Sequence, residues 1–195
     1  MPTLTLTTEL EAVNVMLATI GDTPVNTLVN TGLLNVEQAV ATLNEQSRAV
    51  QAEGWHFNSE VNYPIVPDVN QNILVPSNVL KIDTTKEFWD YDLVMRGSKM
   101  YDRREHTDLF NKTLKFDVVF FLAYEDLPET ARHYIKIKAA RVYQSRMLGS
   151  STLNGFTQQE EIEVRAKMYD EDLENADNNM LTGSYSVSSV LDRNL

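Results

Sequence analysis

Three histidines, His56, His106 and His133, and the carboxylates Asp90, Asp92, Glu125 and Asp126 are the side chains here with the readiest chemistry. Histidines at i and i+4 on a helix could hold zinc, but no pair of these three has that spacing. The sequence contains no cysteine, which removes thiolate ligands, a cysteine nucleophile and any disulfide framework. No glycine-rich phosphate loop, dinucleotide fingerprint, nucleophile elbow or EF-hand loop occurs. Two carboxyls at a set separation could hydrolyse a glycosidic bond. An acidic chain offers many accidental pairs, however, and the solvated-face reading is favoured. The expectation is therefore a non-enzyme with no catalytic residues, no cofactor and no metal, whose histidines are structural or on the surface.

The aromatic residues carry more information. Trp55 and Phe57 follow a helix stop, where a tryptophan usually closes a core. Phe88, Trp89 and Tyr91 cluster before a strand, as core or as interface anchors. The 195 residues are 43% hydrophobic and 23% charged, an ordinary globular composition. A net charge of −11 repels nucleic-acid phosphate. That excludes a DNA reader working by charge neutralisation and suits a surface past which DNA slides; the plainer reading is solubility. No apolar run approaches the length needed to cross a bilayer, so no direct membrane insertion is expected. The N-terminus has no secretory pattern, and the absence of cysteine fits synthesis in a reducing cytoplasm.

Helices, then strands, then helices must position these groups. Thr7 or Thr8 can cap a helix over 8–20, stopped by Gly21, and Glu11 three residues after Thr8 fits a capping box. Leu10, Val13, Leu17 and Ile20 share one face of it. A second helix is predicted from an Asn35 N-cap to Gly54, with Val36, Val40, Leu43, Ser47 and Val50 on one face. Prolines at 64, 67 and 76 then break helical pattern. Strands are predicted over 79–82, 91–96, 99–103 and 114–122. Gly97-Ser98 forms a type II′ turn between two of them, and the apolar run 118–124 suggests a strand buried on both faces. A third helix is predicted from Pro128 to Gly149, with Ala131, Ile135, Ala139 and Val142 aligned. A fourth begins near Thr157, with a seam of Ile162, Ala166, Tyr169, Leu173, Ala176 and Met180 at coiled-coil spacing. The third helix carries five basic residues and the fourth eight acids, which predicts an antiparallel pair. The expected class is α+β: an α-helical bundle of about four helices (1–54 and 125–181) with an inserted antiparallel β-rich domain (55–124). The serine-rich tail 182–195 is expected to be flexible and able to order on a partner.

Six segments in this order are similar to one family. They are ELEAVNVMLATIGDTPV (9–25), EGWHFNSE (53–60) with its Gly-Trp-x-Phe-Asn signature, PDVNQNILVPSNVLKID (67–83), and MYDRREHTDLF (100–110) with a Tyr-Asp-Arg core. AYEDLPETARHYIKIKAARVYQSRMLG (123–149) and QQEEIEVRAKMYDEDLENADNNML (158–181) follow. Across nearly the whole chain it resembles the tail tubular protein A family, head-to-tail adaptors or gatekeepers of short-tailed, podovirus-type phages.

The resemblance implies a virion protein forming a homo-dodecameric ring below the portal protein. A tail nozzle protein, tail tubular protein B, would lie on the other side, with tail fibres nearby and DNA passing through without specific binding. Assembly would occur in the host cytoplasm. By position, Tyr185, Val187, Val190 and Leu191 of the tail are candidate portal contacts. Phe88, Trp89 and the hairpin tip at Gly97 and Ser98 are candidate subunit or nozzle contacts, although the tip reads equally as a plain exposed turn. Two rival readings remain: a carboxylate-dependent polysaccharide hydrolase of the phage tail, and a monomeric acidic protein-binding module.

Overall fold

A capping box starts the first helix, α1 (Glu9–Thr19): the Thr8 hydroxyl accepts from the Glu11 amide, and the Glu11 carboxylate accepts from the Thr8 amide. The computed structural model describes residues 6–29, 32–88, 90–149 and 151–175, with backbone alone at 86 and 151–157. After α1 come α2 (Leu34–Gln51), β1 (Ser59–Ile65), β2 (Val79–Thr84), β3 (Leu93–Arg96), β4 (Lys99–Asp102) and β5 (Leu114–Phe120). The helices α3 (Glu129–Leu148) and α4 (Ser151–Asn175) complete the order, which makes the chain an α+β protein.

The helical part has its own core. α3 is its centre, packing on α1, α2 and α4, and it is buried on more than the one predicted face. Tyr134, Ala140 and Tyr143 are buried in addition to Ala131, Ile135 and Ala139. Gly149, left-handed at φ 63, ends α3. Asn35 is not the N-cap of α2; Leu33 takes that place without a side-chain bond. The Asn35 side-chain Nδ2 instead donates to the Asp22 carboxylate at 2.8 Å, tying α2 to the turn after α1.

A second core lies in the strand region around Ile73, Met100, Leu114, Phe116 and Val118. Its main sheet is antiparallel in the order β1-β5-β2, and β3 and β4 form a separate hairpin. β1 was not predicted. It contains Pro64 and a bulge between Glu60 and Tyr63, with Asn62 left-handed at φ 61, so its alternation is broken. Both features are tolerable because β1 is an edge strand. β5 is central but buried on one face only. Leu114, Phe116 and Val118 point into the core, while Lys115, Asp117 and Val119 alternate outward. The two-residue turn Gly97-Ser98 forms as predicted: Gly97 alone has positive φ, as a II′ turn requires.

Gly54 links the two cores. Its φ is +86, and a Cβ there would sit 3.2 Å from Cγ2 of Val119. Gly97 has a similar φ of +63 but nothing within 4 Å. Gly54→Ala is therefore expected to cost about 1–2 kcal/mol from backbone strain alone, plus a steric increment absent from Gly97→Ala. Urea midpoints of the two variants measure that increment; equal losses would contradict it.

Candidate functional site

The Gly-Trp-x-Phe-Asn signature builds the joint between bundle and sheet. Immediately before it, the last residue of α2, Gln51, is fully buried. Its Oε1 accepts from the Leu122 amide at 2.8 Å, and its Nε2 donates to the Leu122 carbonyl at 3.1 Å and to Ser47 Oγ at 3.0 Å. The side chain thus satisfies both backbone groups of Leu122, just past the end of β5. Asn58 repeats the device. Its Nδ2 donates to the carbonyls of Gln51 (2.9 Å) and Phe120 (2.8 Å), and its Oδ1 accepts from the Trp55 amide at 2.8 Å. Trp55 is buried, and its indole N–H donates to the Val50 carbonyl at 2.7 Å, so it closes the core as expected. Its ring meets that of Tyr169 on α4 at 4.8 Å. Three elements converge on this joint, and every polar group named in it is paired.

The Tyr-Asp-Arg segment shapes the hairpin base. Asp102 is buried, and its carboxylate accepts from the Arg104 amide at 2.8 Å. Arg103 makes a two-pronged contact with Asp92, at 3.1 and 2.9 Å. In the acidic–proline block, Arg132 donates to the carbonyls of Leu127 and Thr7, at 2.8 and 2.9 Å, and to that of Glu125. Glu125 also accepts from the Glu9 amide at 3.0 Å.

The carboxylates considered for acid–base work are thus placed as follows. Asp92 and Glu125 are engaged structurally, while Asp90 and Asp126 are exposed. Among the described residues, no group of three His, Asp or Glu side chains is placed to hold a metal ion. Burial and the nearby Lys136 hold the His133 imidazole below its ordinary value, which favours the neutral form.

Glu129 accepts from the amide of Thr7 at 2.8 Å and from its hydroxyl. Burial pushes this carboxyl up, but the Thr7 bonds and the charges of Lys136 and Arg132 outweigh it and hold the group below its usual value. A depressed carboxylate contributes stability that is present above its unfolded value, about pH 4.3, and lost as pH falls through the folded one. Glu129→Gln is therefore expected to flatten the pH dependence of the melting temperature below about pH 4.5. An unchanged slope would contradict the assignment.

Of the candidate contact residues, Gly97 and Ser98 are exposed at the hairpin tip. Phe88 is buried in the second core against Tyr91 and under the Lys112 ammonium, so it supports the hairpin from within. Trp89 and the four tail residues Tyr185, Val187, Val190 and Leu191 lie outside the described residues.

The fourth helix corrects the sequence reading most. α3 and α4 pair antiparallel, with Arg141 on Glu161, but the face of α4 that is buried carries Val164 and Met168. The predicted seam points outward: Ile162 is 63%, Tyr169 43% and Leu173 58% exposed, and Ala166 is exposed between them. Its end, Ala176 and Met180, lies outside the described residues. A helix with one thin apolar contact inward and an apolar stripe outward presents more than its own subunit uses.

A second outward face was not anticipated. In the hairpin, Val94 pairs with Tyr101 and Arg96 with Lys99, all on one side, and Leu74 bridges to Lys99 on that same side. The Arg96 guanidinium lies 3.7 Å from the Tyr101 ring centre. The uniformly apolar run Ile73-Leu74-Val75 gives no signal of it in sequence; the structure alone shows the pattern buried–exposed–buried.

Internally satisfied joints and outward apolar faces define a structural component of a larger assembly. The family model described as "Tail tubular protein" matches residues 10–178, spanning both cores. The chain belongs to the tail tubular protein family. It is similar to the "Tail tubular protein A" of Klebsiella phage KP34, with 29% identity over 154 residues, covering 78% of this chain and 81% of that one. It is accordingly a structural protein of a phage tail and part of the virion.

Proposed function

We propose that this protein is a ring-forming head-to-tail adaptor that joins the portal to the tail nozzle and lines part of the DNA-ejection channel. The observation that carries this reading is a family match running unbroken through bundle, joint and sheet. The net charge of −11 supports a channel role, since carboxylates repel DNA phosphates and keep them from sticking. Subunits pack head to tail and close into a twelve-membered ring, as heterologous contacts can. The bundle (1–54 and 125–181) and the β-rich region (55–124) act as two domains held by the joint, and residues 182–195 order on the portal through Tyr185, Val187, Val190 and Leu191. The nozzle protein binds the opposite side with tail fibres nearby, assembly proceeds in the host cytoplasm, and no chemistry is catalysed.

Native mass spectrometry of the full chain, alone and mixed with portal rings, tests this. Twelve copies per portal ring are expected, with loading lost on deletion of 182–195. A chain that stays monomeric beside a competent portal would overturn the adaptor.

A further inference from the structure

We infer that the outward stripe of α4 receives the basic face of the β3–β4 hairpin from a second copy of this chain, forming a head-to-tail interface. The inference rests on the ring-forming reading and specifies which two surfaces meet. Ile162, Ala166, Tyr169 and Leu173 have the four–three–four spacing of a packing seam, yet all four are exposed. Tyr169 is the fixed point of the stripe, since it is held by a tilted ring contact with Trp55 and by Arg165 Nη2, which donates to its hydroxyl at 3.3 Å. Glu163, Asp170 and Glu174 follow on the solvent side at helical spacing, all exposed.

Charge selects the occupant. Residues 158–175 carry seven carboxylates against Arg165 and Lys167, and with Glu161 paired to Arg141 six remain for those two cations and the outside. Two copies of α4 packed on each other would place like charge against like, which disfavours a two-fold contact through this helix. The occupant must offer apolar surface bordered by positive charge. The outer side of the hairpin does so: Leu74, Val94 and Tyr101 form its apolar part, with Arg96 and Lys99 beside them. The two strands contribute no carboxylate to that side, because Asp102 points to the other face, where it is buried; Lys99 has Asp108 at 4.0 Å, so Arg96 is the main cation offered to a partner. α4 packs on the helical core through Val164 and Met168, and the hairpin on the strand core through Met100, so each copy presents one outward surface of each kind. A contact between different surfaces of identical chains propagates from copy to copy and closes if the rotation allows.

A charge swap tests the pairing in the full chain, read as the concentration for half-assembly with portal rings present. Arg96→Glu and Asp170→Arg are each expected to raise that concentration about tenfold or more. Combined in one chain they should restore most of the loss, with far-UV circular dichroism unchanged throughout. Because the chain lacks cysteine, a second readout is direct. Leu74→Cys and Leu173→Cys chains, assembled as a mixture, should be joined by a short bis-maleimide into mixed dimers, and neither variant should dimerise alone. Rings that assemble normally but show no rescue and no mixed cross-link would overturn this interface and leave the adaptor standing. Failure of the unaltered chain to form rings with or without portal would overturn both.

Discussion

Gln51→Leu is expected to lower the free energy of unfolding by about 2–5 kcal/mol, read from urea denaturation. The side chain is fully buried, and leucine, one bond shorter but of comparable volume, leaves little cavity. What it removes is the pairing of two backbone groups. The Leu122 amide loses its acceptor at 2.8 Å, and the Leu122 carbonyl its donor at 3.1 Å. Each unsatisfied group costs about 1–3 kcal/mol. Ser47 loses a partner as well. Gln51→Glu separates hydrogen bonding from shape, because a carboxylate can still accept from the amide but cannot donate to the carbonyl. It is expected to be destabilised at neutral pH and to recover as the solution is acidified, since burial favours the protonated acid. A loss below about 0.5 kcal/mol for Gln51→Leu would mean that water reaches the joint and satisfies Leu122 in its place. The joint bears on function because it fixes the angle between bundle and sheet. A paired polar clasp specifies direction where apolar packing alone tolerates sliding, and the proposed ring would need the same angle in every copy.

The parts of this fold that were legible in sequence are those set by local chemistry. Thr8 and Glu11 specify a cap within four residues, and Gly97-Ser98 specifies a turn within two. Gly149 ends α3 for the same kind of reason. Trp55 reads as core because a large ring after a helix stop has few other places to go. What sequence did not disclose depends on residues distant in the chain. β1 carries a proline and a bulge and is a strand only because β5 pairs with it. Asn35 looks like an N-cap but is drawn to Asp22 by a contact thirteen residues back. The outward face of β5 reads as apolar through Val119, yet Lys115 and Asp117 share that face, and the run is not buried on both sides. Gln51 gives no signal at all, since glutamine at a helix end is common and its partner lies 71 residues away.

α4 is the instructive error. Its best-spaced apolar residues read as a packing seam, but periodicity reports that a stripe exists and not which body covers it. Within the subunit, Arg141–Glu161, Arg165–Glu53 and the His56 amide on Asp172 fix the rotation of the helix. They bring Val164 and Met168 inward and turn Ile162 and Leu173 out. An apolar seam that loses this contest is the kind of surface an assembly protein keeps for its neighbour, and only the polar contacts show that it lost.

Arg132→Met should be the most damaging single change in the helical bundle, at about 3–5 kcal/mol, the usual cost of removing one member of a buried charged cluster. Arg132 is 5% exposed. Its fork holds three backbone carbonyls, those of Leu127, Thr7 and Glu125, and reaches the Glu125 carboxylate at 3.4 Å. Methionine fills much of the volume and leaves those acceptors without a donor. The consequence extends beyond α3, because Thr7 and Glu125 are the points at which the N-terminal segment is tied down, with Glu125 receiving the Glu9 amide and Glu129 receiving Thr7. For a chain of this size the loss corresponds to about 6–20 °C in melting temperature, and amide exchange at Glu9 should quicken with it. Arg132→Lys separates charge from geometry. A lysine ammonium is a point charge on a flexible stem and cannot reach three carbonyls in a plane, so this variant should recover less than half of the loss. If lysine restored stability to within about 1 kcal/mol of the original, positive charge alone would be what the site requires. The planar fork would then not be the reason for an arginine at this position.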